Sequence, residues 1–174
     1  EENGGGAKSM IEAGVLKDVQ AIYCLHVRSN LAAGHFLTKD GFIHASSDGY
    51  EININGKSCH GAAPQNGVDA IVIAAHTVLA LQELISREIG AWDKAVLTIG
   101  KITGGTARNI VCGEVLLQGT LRTLDEALRT KLKTRIGEVS RGVSAMLRGE
   151  ASVAFTQGYC SCYNDEKQTA HAVK

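Results

Sequence analysis

The sequence predicts an α/β fold of the α+β kind. Its centre is a ferredoxin-like sandwich, a four-stranded antiparallel sheet with two helices on one face, in the order β-α-β-β-α-β. Three observations predict it. Residues 50–55, "YEININ", alternate apolar and polar as a half-buried strand does. Two stretches, 68–85 and 128–146, space their apolar residues as amphipathic helices do. Three further apolar runs of strand length, 94–102, 114–123 and 151–157, fall between and after them. The flanks, 1–45 and 158–174, do not fit this unit. They read as the two edges of a second, partial α/β domain into which 46–157 is inserted.

Taken in order, "GAKSMIEAGV" (6–15) predicts a short helix stopped by Gly14. "AIYCLHV" (21–27) is a continuous apolar run, as expected of a strand covered on both faces. "GHFLTKDGFIHA" predicts another strand, with a turn at Asp40–Gly41. Tyr50, Ile52 and Ile54 form the inner face of the next strand. The helix after Asn66–Gly67 carries a stripe of Val68, Ile71, Val72, Ala75, Val78, Leu79 and Ile85. After the strands at 94–102 and 114–123, "TLDE" (123–126) has the capping-box pattern, with Thr123 at the N-cap. The helix it opens has the stripe Leu128, Leu132, Ile136, Val139, Val143 and Met146, and Gly149 ends it. "ASVAFTQ" supplies the fourth strand.

Composition narrows the function. Lys+Arg and Asp+Glu are both 18 among 174 residues, so no net charge draws the chain to nucleic acid or an anionic membrane. RNA-binding ferredoxin-like sheets need exposed aromatics on their central strands, and "KAVLTIGKI" and "EVLLQGTLRT" contain none. No apolar run approaches the roughly 20 residues that span a bilayer. The five cysteines show no disulfide-framework spacing, which fits reduced thiols in a cytoplasmic protein. Cys160 and Cys162 lack the second cluster a zinc finger would require.

Four places carry chemistry. Glu1, Glu2 and His26 have the O and N ligand types that suit Zn, Mn, Co or Ni. An acidic pair at a helix start and a histidine ending an apolar strand are equally the marks of a solvated surface. "KSCHGAAPQNGVDAI" sets His60 on a glycine-bearing loop, where an imidazole can polarise a carbonyl. "ITGGTARNIVCGEV" is longer than a hairpin requires and carries Thr106, Arg108 and Asn109 at its tip. Arg122 follows 13 residues after Asn109 and can present its fork to a carboxylate or close a sheet-edge ion pair.

Together, "EENGGGAKSMIEAGVL", "AIYCLHV", "SDGYEININGKSCHGAAPQNGVDAI", "LTIGKITGGTARNIV" and "GTLRT" resemble metal-dependent amidohydrolases of the aminoacylase and carboxypeptidase G superfamily. The nearest branch is that of hippurate, N-acyl-amino-acid and indoleacetyl-amino-acid hydrolases. The resemblance implies that 1–45 and 158–174 belong to a zinc-peptidase-like catalytic domain and that 46–157 is its lid and dimerisation domain. It implies Glu1 as general base and acid, and Glu2 and His26 as ligands of a two-metal centre. His60 would be a lid residue reaching the partner's site in a homodimer, and Asn109 and Arg122 would hold the substrate carbonyl and carboxylate. The implied reaction is hydrolysis of the amide bond of an N-acyl amino acid or related conjugate. That family also uses an upstream Cys-x-His and a later histidine, which this sequence lacks, so the chain by itself is expected to be inactive. A non-catalytic dimerisation module is the alternative.

Overall fold

The computed structural model describes residues 6–156 and 158–173. In chain order the elements are α1 (Gly6–Glu12), β1 (Gly41–His44), β2 (Asp48–Asn55), β3 (Cys59–His60), α2 (Ala70–Arg87) and β4 (Ala95–Gly104), followed by β5 (Ile110–Val111), β6 (Glu114–Thr123), α3 (Glu126–Met146), β7 (Glu150–Thr156), β8 (Cys162–Asn164) and α4 (Glu166–Ala172). They divide into two units: Lys39–Asn164, and the residues up to Thr38 together with those from Asp165.

In the larger unit the sheet order is β4-β6-β2-β7, all antiparallel, with α2 and α3 on one face. This is the β-α-β-β-α-β sandwich expected. Tyr50, Ile52 and Ile54 are buried as their alternation predicts, and Leu117 and Leu121 of β6 with Leu132 and Ile136 of α3 complete the core around them. Gly119 lies opposite Tyr50 in the β2–β6 register. A Cβ on Gly119 would overlap the Tyr50 phenol and the Thr98 carbonyl, the group that accepts the Tyr50 hydroxyl proton. The glycine is therefore the space the tyrosine ring occupies.

The helices differ from expectation in which face they bury. On α2 the buried residues are Ala70, Ile73, Ala74, Thr77, Leu81 and Leu84, while Ile71, Val72 and Leu79 are exposed. α2 is apolar nearly all round, so its periodicity could not select a side. It is also long and apolar enough to pass for a membrane span, yet one face packs within this unit. α3 keeps Leu128, Leu132 and Ile136 inside, but its later turns bury Ser140 and Ser144 and leave Met146 exposed. Small residues there allow α2 and α3 to approach closely.

The caps shift as well. β6 runs through Thr123, whose hydroxyl is engaged by Ser46 and by the Asp125 carbonyl, so Asp125 becomes the N-cap of α3 and accepts the Leu128 N–H at 2.7 Å. At the other end Arg148, not Gly149, takes the left-handed conformation, with φ 68°. Gly149 is instead a close-packing position, because a Cβ there would come 2.8 Å from the Asn55 carbonyl.

A charged cluster lies under the start of β2 and was not evident in the sequence. Asp48, fully buried, accepts two hydrogen bonds from Arg129 at 2.6 and 2.8 Å and one from Lys133 at 2.7 Å. Arg129 also reaches Glu126 at 3.0 Å and the Gly158 carbonyl at 3.4 Å. Burial opposes the Asp48 charge, but the bonds from Arg129 and Lys133 outweigh it and hold the carboxyl below its usual range. The Ser47 N–H donates to the Tyr159 carbonyl at 3.0 Å, so the chain entering the sandwich and the chain leaving it run side by side. Outside the sheet they continue as the β1–β8 ribbon, where Phe42 and Tyr163 meet edge to face at 5.2 Å. Of the strand expected around residues 34–45, only Gly41–His44 forms, and β8 was not anticipated.

In the smaller unit α1 ends as expected, with Gly14 at φ 88°. Residues 21–27 do not form the strand their composition suggests. They are exposed, Leu25 to 85% and Val27 to 91%. A doubly covered strand needs neighbouring strands for its backbone groups, and among the described residues none pairs with it. Tyr23 ties the segment to α4 through a 2.6 Å hydrogen bond to Gln168.

Candidate functional site

β3 and β5 extend the sheet as a short two-stranded tip. Cys59 pairs with Val111 and His60 with Ile110, and the Gly61 N–H donates to the Asn109 carbonyl at 2.7 Å. Gly61 permits that approach, since a Cβ would sit 2.9 Å from the same oxygen. His60 and Asn109 are thus brought together, both exposed. The Ala62 N–H donates to His60 Nδ1 at 3.1 Å. A ring nitrogen that accepts carries no proton, so the neutral imidazole has its hydrogen on Nε2. The tip therefore offers one oriented N–H donor on His60, with the Asn109 backbone held against Gly61 next to it. The long loop leading to it lines, through Gly104, Gly105 and Thr106, a cleft of about 600 Å³ shared with Ser58 and Glu114.

Arg122 lies at the opposite end of the sheet. It pairs with Val96 on the face away from the helices, near Ala45, where the chain enters the sandwich. It stands eight positions along β6 from Glu114, about 26 Å at the rise of an extended strand. The β3–β5 tip continues beyond Glu114. His60 and Arg122 of one chain therefore lie at opposite ends of this unit. Arg122 has no hydrogen-bond or ion-pair partner among the described residues, and it lines a cleft of about 330 Å³ together with Lys94. Lys94 was not singled out in the sequence; only the strand register places it there.

His26 belongs to the other unit. Its Nδ1 lies 2.7 Å from the Val27 carbonyl, which can only accept, so Nδ1 is the donor in this contact. A backbone carbonyl in that place orients the ring and leaves Nε2 as the nitrogen that a ligand would meet. Glu1 and Glu2 lie outside the described residues. Among the described residues no three His, Cys, Asp or Glu side chains converge as a metal site. All five cysteines are free, with Cys160 and Cys162 exposed.

Residues 43–143 match the family model of the M20 peptidase dimerisation domain. The chain belongs to that family. This M20 domain and its flanks are 38% identical, over 95% of the chain, to N-acetyldiaminopimelate deacetylase of Shouchella clausii, of which they cover 45%. They are 37% identical, over 97% of the chain, to N-acetyl-L-cysteine deacetylase of Bacillus subtilis, covering 41% of it. Among solved structures, a Bacillus subtilis protein described as a dinuclear metal-binding peptidase of the M20 family superposes with a TM-score of 0.75 and 28% identity. The match covers 97% of this chain and 41% of that one. The chain thus spans less than half the length of the curated relatives it matches.

Proposed function

We propose that this M20 chain serves a metal-dependent hydrolase of N-acyl amino acids or related conjugates, acting as a homodimer whose active sites are shared between subunits. The observation that carries this reading is the placement of His60 on the β3–β5 tip, past the end of β6 at which Glu114 lies, while Arg122 stands eight positions further along that strand, roughly 26 Å from Glu114. In the proposed arrangement Arg122 holds the substrate carboxylate at its own subunit's site, while His60 and Asn109 reach the partner's. His26 and Glu2 are the residues that would hold a metal there. The metals, when bound, supply Lewis-acid activation of water and carbonyl. Glu1 takes the proton from the attacking water and returns it to the leaving amine. His60 Nε2–H donates to the carbonyl oxygen as negative charge develops there.

The same surface supports the homodimer. Among the described residues β4 is an edge strand, and its helix-side Ile102 is exposed, as are Ile71, Val72 and Leu79 of α2. A second copy covering this apolar strip removes both an open edge and an unpartnered helix face. The strip alone is equally what a non-catalytic dimerisation module would need.

Subunit complementation decides between these readings. In a full-length protein carrying this sequence, His60→Ala and Arg122→Ala homodimers should each be nearly inactive. Random heterodimers of the two restore one intact site each, so mixing should recover about a quarter of the wild-type sites. No recovery, with mixed dimers demonstrated by mass spectrometry, would sink the shared-site reading.

A further inference from the structure

We propose that Lys94 is a second cation of the carboxylate site, closing with Arg122 a two-pronged clamp on the acid end of the substrate. The inference rests on the reading of Arg122 given above and adds a residue to it.

Strand register carries the argument. Val96 pairs with Arg122 and Ala95 with Thr123, and the Leu124 N–H donates to the Lys94 carbonyl at 3.4 Å, which extends the ladder by one residue. Opposed residues share a face, and faces alternate along each strand. Thr123 is buried under the helices, so Lys94, Val96, Arg122 and Leu124 belong to the bare face. There Lys94 and Arg122 are diagonal neighbours, with backbones about 7–8 Å apart, within joint reach of two long side chains. Both line the cleft of about 330 Å³ whose apolar walls include Ala45, Val96 and Leu124.

The charges in that cleft do not balance. Among the described residues Asp93 is the one carboxylate lining it, and it accepts the Gly90 N–H at 2.7 Å. Lys94 and Arg122 have no side-chain partner among the described residues, whereas Arg129 and Arg135 are each bound to carboxylates. One positive charge is left over. A small monocarboxylate with an apolar body neutralises it and fills the walls.

The test is a titration of the 15N-labelled 174-residue chain with N-acetyl-L-alanine and with its neutral carboxamide. The acid should give saturable shifts at the Lys94, Val96, Arg122 and Leu124 amides, and the carboxamide none. Lys94→Gln should weaken the acid by up to about fivefold, the upper range for a solvent-accessible charge pair, and Arg122→Gln should weaken it at least as much. If Arg122→Gln weakens binding and Lys94→Gln does not, the role of Lys94 is overturned while that of Arg122 stands. If the acid produces no saturable shift, or the acid and the carboxamide behave alike, both are overturned.

Discussion

Replacing Asp48 by Asn keeps the shape of the side chain and removes its charge. In the native cluster the carboxylate is inaccessible to solvent and takes three short hydrogen bonds, two from Arg129 and one from Lys133. An amide offers one acceptor oxygen where there were two and turns an NH2 toward a cation. The Arg129 side chain, only 5% exposed, is then left without a counter-charge on its inner side. Breaking a buried ion pair from one side costs about 3–5 kcal/mol, a large part of the roughly 5–15 kcal/mol that holds a domain folded. Urea unfolding followed by far-ultraviolet circular dichroism would report it as a fall in midpoint at unchanged slope. Removing all the charges together, as in Asp48→Leu/Arg129→Met/Lys133→Met, should cost less than Asp48→Asn alone, because no orphaned charge remains. A loss below about 1 kcal/mol for Asp48→Asn would refute the account, since that is the range of a surface pair. The same cluster sets an acid limit. The Asp48 carboxyl lies below its ordinary value of 3.8 in the folded state, so its contribution is complete above that pH and is lost as pH falls through the depressed folded value.

Three further outcomes are expected. Gly119→Ala pushes a methyl group into the Tyr50 ring and should cost about 1–3 kcal/mol in the same denaturation assay. Asp125→Ala removes the acceptor of the Leu128 N–H and should cost about 1 kcal/mol, locating the α3 cap at Asp125. Leu79→Glu, at a position 68% exposed on α2, should leave stability within about 0.5 kcal/mol and convert a dimer to a monomer in sedimentation velocity; an unchanged sedimentation coefficient would place the interface elsewhere.

The sandwich was legible because its strands alternate cleanly or are bounded by turns. Tyr50, Ile52 and Ile54 could face only one way, and β6 formed over 114–123, where the apolar run lay. The α2 face was not legible, because a helix that is apolar on all sides has no preferred stripe until a sheet is set against it. The Asp48–Arg129–Lys133 cluster was hidden for a different reason: its members lie 81 and 85 residues apart, beyond any local pattern. Residues 21–27 show the converse error. Composition indicated a strand, but a strand is a property of pairs, and no described segment pairs with it. His60 and Asn109 were visible as loop residues. That Asn109 belongs with His60, and Arg122 with Lys94, depends on register alone.

The length of β6 therefore bears directly on mechanism. Ten extended residues join the two ends of the sheet, and a strand hydrogen-bonded on both sides, to β2 and β4, neither shortens nor folds back. On the proposed reading, no bending of this unit brings its own histidine to the substrate that its own arginine holds. Only a second copy, docked with its tip toward the first copy's connectors, closes the site. The interface strip on β4 and α2 would then act on catalysis without touching substrate, by fixing where the partner's Nε2–H arrives. A substitution there that preserves the dimer but shifts its register should lower kcat more than it raises KM, because carboxylate binding stays within one subunit while oxyanion stabilisation crosses between two.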